Sequence, residues 1–94
     1  MPYALVRHKV ENYEKWKPIF DEDAGNREAS GSKGGFLFRN ADDPDEILIL
    51  FEWDDLENVR RFGQSDELRE KMQRAGVVDR PDFYFLEEIE RLEA

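Results

Sequence analysis

Cysteine is absent from the chain, so neither a disulfide framework nor a thiolate metal site can reinforce it. Histidine occurs once, and one histidine without cysteine leaves zinc no adequate ligand set. Positive charge is scarce: 14 Lys and Arg stand against 23 Asp and Glu, a formal net charge of −9. That field repels phosphate backbones and anionic lipid, so no nucleic acid and no membrane is expected among the partners. Arginine outnumbers lysine, a composition met in salt-adapted proteins. No apolar run approaches the ~20 residues of a membrane-spanning helix. Arg7, His8 and Lys9 interrupt the first ten residues, which therefore lack the apolar stretch of a targeting segment. The expected compartment is cytoplasmic. A Gly-rich phosphate loop is missing. The few serines fall in loop or cap contexts, which supports no catalytic triad. The acidic run Asp42, Asp43, Asp45, Glu46 lacks calcium-loop spacing and contains Pro44. No metal and no cofactor is therefore expected.

What is present is one domain's worth of chain, residues 1–94, with neither linker nor repeat. Twelve aromatic residues suffice for a packed core. Tyr3 to Val10 alternates as a strand does, with Ala4, Val6, His8 and Val10 on one side. Asn12 is a candidate helix cap. Tyr13, Trp16, Phe20, Ala24 and Arg27 then recur at three- and four-residue steps, the stripe of one helix. Pro18 predicts a short first turn, with the main helix restarting near Lys17. Ala29 to Gly35 reads as helix exit and loop, Phe36 to Asn40 as a second strand, and Asp42 to Asp45 as a turn. Glu46 to Trp53 is a third strand. Asp54 and Glu57 form a capping-box pattern ahead of Leu56, Val59 and Phe62. Ser65 caps a further segment that Gly76 ends, and Asp82 to Ile89 closes the series as a last strand.

Strand, helix, hairpin, helix, strand is the α+β, ferredoxin-like βαββαβ order: a four-stranded antiparallel sheet with helices on one face. Its helices shield a single face, yet the third and fourth strands carry large apolar side chains on both. Leaving Leu48, Leu50, Tyr84 and Leu86 in water would expose a larger patch than monomers usually tolerate. A second copy packed sheet to sheet removes that exposure, so a homodimer through the open face is expected.

Two runs carry a resemblance. His8-Lys9-Val10-Glu11-Asn12-Tyr13-Glu14-Lys15-Trp16-Lys17-Pro18-Ile19-Phe20-Asp21 and Leu50-Phe51-Glu52-Trp53-Asp54-Asp55-Leu56-Glu57-Asn58 resemble segments of the dimeric α/β-barrel superfamily. Within it they are similar to the antibiotic-biosynthesis-monooxygenase-like group, cyclase-like proteins included. The resemblance spans nearly the whole chain. It implies a dimer of ferredoxin-like subunits, each with a cavity between sheet and helices. It further implies activities of three kinds: oxidation of polycyclic phenols or quinols without a metal, haem degradation, or rearrangement of small organic acids. The haem-degrading role needs a helix histidine, and the one histidine here falls on a strand. The oxidising members use an asparagine and a tryptophan near the cavity. Trp16 and Trp53 are present, whereas no asparagine falls on a comparable strand face.

His8 is the polar member of an otherwise apolar set. Facing the helices, it is either a general acid or base, suited by an ordinary pKa near 6.5, or a core histidine held by a hydrogen bond. Trp16, Phe20 and Phe62 are candidate aromatic walls, or simply core. Arg27, at the end of its stripe, either reaches an anionic substrate group or packs its stem with its head in solvent. Arg39 and Glu52 are expected to pair across the hairpin or the dimer seam. Lys33 to Phe38 imitates an RNA-binding signature, but on the wrong strand and with the wrong net charge. Three functions remain open: a cofactor-independent monooxygenase or cyclase-like isomerase acting on a small aromatic or polyketide-type ligand, with His8 moving the proton; a non-catalytic small-molecule-binding or stress-related module; and a dimerisation domain with a filled core. Each pocket function requires a space of ligand size beside His8.

Overall fold

The alternation at the amino terminus becomes β1 (Pro2–Lys9), in which Ala4, Val6 and His8 are buried and their neighbours half-exposed. The computed structural model describes residues 1–94. Asn12 caps α1 (Tyr13–Glu22), its side chain accepting from the Lys15 amide. The chain then forms α2 (Ala24–Ala29), β2 (Ser32–Asn40), β3 (Asp43–Trp53), α3 (Leu56–Gly63), α4 (Asp66–Arg74) and β4 (Asp82–Glu87). The strands make one antiparallel sheet in the order β2-β3-β1-β4. This is the expected ferredoxin-like arrangement, with each helical segment doubled.

Register decides what faces what. Val6 stands opposite Ile49 and Phe83, and Leu37 opposite Ile49, so these four side chains share the helix face. Ala4, Ile47, Phe51 and Trp53 complete the sheet side of the core, which closes on Trp16, Val59 and Ala75. Trp53 has no exposed surface, and its indole N–H donates to the Ser30 carbonyl at 3.0 Å. On the other face lie Leu5, Leu48, Leu50, Phe36, Phe38, Tyr84 and Leu86. The last four of these are exposed.

Several boundaries differ from the sequence reading. Pro18 does not split the first helix; it lies inside α1 with Glu14, whose carbonyl it leaves unbonded, and both residues are exposed to water. The break comes instead at Asp23, where the stripe ending in Arg27 passes into α2. β2 begins four residues earlier than expected, with Gly34 and Gly35 inside it. A bulge between Ser32 and Gly34 absorbs Lys33. Gly35 is required there, because a Cβ would collide with the Leu50 carbonyl oxygen. The hairpin turn shrinks to Ala41 and Asp42. The cap of α3 is Asp55, accepting from the Asn58 amide, rather than Asp54. Asp54 instead accepts from the Asp55 amide and the Asn58 side chain. β4 stops at Glu87, not Ile89, because Glu87 already pairs with Pro2 and the partner strand ends there. Arg39 and Glu52 do not pair: Arg39 stands opposite Ile47 on the helix side, over the Tyr13 ring, whereas Glu52 lies on the open face.

Candidate functional site

The two periodicities of strand and helix converge on one space. β1 points every second residue inward, which aims His8 at α1. α1 returns Trp16 and Phe20 to the same side, four residues apart. The bend at Asp23 carries Arg27 round onto Phe20. His8, Trp16, Phe20, Arg27 and Phe62 all line one cavity between sheet and helices. All five site residues anticipated from the sequence thus come together.

The ring geometry forms a ladder. His8 meets Trp16 edge-on at 5.7 Å between centroids. Trp16 stacks on Phe20 at 4.7 Å. The Arg27 guanidinium carbon lies 3.9 Å from the Phe20 centroid. Such cation–π contacts strengthen as the ion is desolvated. Phe62 stands off to one side, against Trp53 at 4.9 Å. Trp53 itself lies outside the cavity lining.

His8 is 1% exposed, and its Nδ1 has no hydrogen-bond partner. No other residue bonds the ring at that atom, and a hydrogen bond to its own backbone opposes the effect of burial. Burial lowers its pKa to about 4, with Arg7 adding to the effect and Asp79 opposing it. The imidazole is neutral at pH 7. Its free nitrogen is an unfilled polar position in an apolar wall, the kind of atom a water or a ligand group satisfies.

Two polar residues of the wall escaped the sequence reading. Asp23, 7% exposed, pairs with Lys71 of α4, which also reaches Glu67 at 3.2 Å. Both belong to the cavity lining. The signal was present in the spacing: Asp23 lies three residues after Phe20, and Lys71 three after Leu68, each on a stripe otherwise apolar. A charge at such a position needs a partner across the interface.

The space beside His8 is about 50 Å³, room for one or two very small molecules. The few hundred Å³ required of a ligand pocket are not found there. They lie next door, in a groove of about 560 Å³ between α2 and the edge strand β2. Phe20, Arg27, Ile49 and Phe51 belong to both linings, so the Arg27–Phe20 stack is the partition between cavity and groove. His, Cys, Asp and Glu form no cluster of three or more able to hold a metal ion. No helix is long and apolar enough to cross a membrane.

No protein-family model and no curated protein sequence matches the chain. Solved structures do match. SnoaB, a cofactor-independent oxygenase from Streptomyces nogalater, superposes with a TM-score of 0.76 at 15% identity, over 99% of this chain and 97% of that one. The monooxygenase of the ActVA-Orf6 gene of Streptomyces coelicolor, solved with nanaomycin D, gives 0.67 at 14% identity, over 99% and 91%. An antibiotic biosynthesis monooxygenase gives 0.69 at 12% identity, over 96% and 100%. At these identities the likeness is one of fold, and that fold is the one the two sequence runs resemble.

Proposed function

We propose that the chain is a homodimeric small-molecule pocket protein working as a cofactor-independent monooxygenase on small aromatic substrates. The observation that carries the reading is the unpartnered His8 Nδ1, buried at the end of an aromatic ladder that leads to a groove of ligand size. A substrate entering from the groove must displace the Arg27–Phe20 partition to bring an acidic O–H or C–H to Nδ1. An isolated imidazolium is unfavourable there, as the pKa of about 4 expresses. Proton transfer from a phenol or enol creates cation and anion together, and their attraction recovers part of the desolvation of each. The anion is oxidised by dioxygen to a carbon-bound peroxide, which takes back the proton from His8 and loses water, so that one oxygen atom stays as the product carbonyl and the other leaves as water. Trp16, Phe20 and Phe62 supply flat surfaces for an aromatic ring. Likeness of fold to oxygenases named as cofactor-independent supports this reading.

The dimer belongs to the same proposal. Phe36, Phe38, Tyr84 and Leu86 form an apolar strip across the uncovered face, joined by half-buried Leu5, Leu48 and Leu50. Burial of a side chain of this size contributes about 1.5–3 kcal/mol. A second copy presenting the same strip about a two-fold axis satisfies both.

The test is oxygen uptake with quinol and anthrone-type substrates, comparing the protein with His8→Ala. Removal of a general base is expected to lower the rate by about 10²-fold or more. An unchanged rate removes His8 from the chemistry. The small volume beside His8 favours a second reading, a dimerisation domain with a filled core. A dimer that neither binds these compounds nor takes up oxygen would establish it in place of the first.

A further inference from the structure

We infer that the groove between α2 and β2 binds the anionic end of a flat aromatic acid, an aromatic carboxylate, with Arg27 and Lys33 as its counter-charges. The inference rests on the pocket reading above and narrows it to acids.

Arg27 is the reason. In a chain of 23 acidic residues its guanidinium has no carboxylate within ion-pair distance. One N–H donates to the Phe20 carbonyl at 2.8 Å, and the remaining donors have no protein acceptor. The side chain is half-buried, held by its stack on Phe20 with the Phe51 ring beyond at 5.8 Å. Asp23, the nearest candidate partner, is committed to Lys71. A partly desolvated cation without a bonded carboxylate is costly, and burial pulls the guanidinium pKa down from its ordinary value against the opposing pull of Asp23 and Asp21. A planar fork with free donors matches a carboxylate in two parallel hydrogen bonds.

The rest of the groove fits the same class. Lys33, thrown outward by the bulge in β2, lines it and has no ion-pair partner. The one acid in the lining, Glu28, is exposed and free to turn to water. Phe20 and Phe51 offer ring faces, and Gly34 leaves open space where a side chain would stand. An aromatic body with a carboxylate at Arg27 would point its far edge through the shared wall towards His8.

The experiment compares 2-naphthoate with its neutral isostere 2-naphthamide by titration calorimetry at low ionic strength. The acid is expected to bind at least about tenfold more tightly, the ratio falling on addition of salt. Arg27→Met should bring that ratio close to one, while Arg27→Lys keeps part of it. Lys33→Met, a surface change that leaves the core untouched, should lower the ratio about threefold and keeps the test decisive if Arg27→Met unfolds. Equal affinity for acid and amide, or a ratio unchanged in both Met variants, overturns the inference and leaves the pocket reading standing. Binding of neither compound at millimolar concentration overturns both.

Discussion

Replacing His8 by leucine should make the protein more resistant to mild acid. In the folded chain the imidazole pKa is lowered to about 4, chiefly by burial, from an ordinary 6.5. The unfolded chain therefore binds a proton between these values and the folded chain does not, so stability rises with pH across that window. The contribution is complete above about pH 6.5 and is progressively lost as pH falls towards 4. From linkage the loss between pH 7.5 and pH 5 is about 2 kcal/mol. Asp43, bonded to Lys9, and Glu46, bonded to Asn40 and Arg7, are both held below their ordinary values. Their losses therefore begin below roughly pH 5, outside the window. Urea unfolding at fixed protein concentration across pH 5–7.5 should show a decline for the natural protein. For His8→Leu, similar in size and without an unpartnered nitrogen, the profile should be nearly flat. A parallel decline in both proteins would mean that His8 is not buried and neutral, and the proton-transfer argument built on it would fall with that result.

Two further outcomes concern packing and charge. Phe38→Asp should abolish self-association: Phe38 is 52% exposed in the single subunit, and covering half of a side chain of about 200 Å² contributes about 2–3 kcal/mol per copy. Ordering costs reduce that figure, so at least about 10²-fold weaker association is expected, read as a fall from two chain masses to one by sedimentation at micromolar concentration; a variant dimerising as the parent does would exclude the sheet face. Lys71→Met strands the buried Asp23 carboxylate and should cost about 2–4 kcal/mol at neutral pH, measured by denaturant midpoint, with the double variant that also carries Asp23→Leu recovering most of the loss.

The sheet was legible because its signal is local. Period-two alternation gave β1 and the inward position of His8 without tertiary information, and the apolar doubling of Ile47 to Phe51 gave a strand buried on one side and waiting on the other. Boundaries failed where pairing overruled local chemistry. Gly34 and Gly35 read as loop residues, but the ladder with β3 runs through them because close approach to the Leu50 carbonyl suits glycine. Ile89 read as strand, but β1 has no residue left to pair with it. Pro18 read as an interruption, but on the water side of α1 its missing hydrogen bond and its crowding of the Glu14 carbonyl fall on exposed groups, and the helix continues past it.

For the site, identity and arrangement separated. His8, Trp16, Phe20, Phe62 and Arg27 followed from periodicity, since each occupies an inward step of its element. The size of the space between them did not follow, because a volume is the difference of large numbers and depends on how the helices are broken and tilted. The break at Asp23 is the decisive event. An uninterrupted helix carries Arg27 straight on along its axis. At the break Asp23 pairs with Lys71 of α4, and beyond it Arg27 lies over Phe20, on the wall common to the inner cavity and the larger groove. The Arg27–Phe20 stack thus stands between two spaces where the sequence suggested a single pocket. From that groove a molecule reaches His8 by moving the arginine that would also bind its charge.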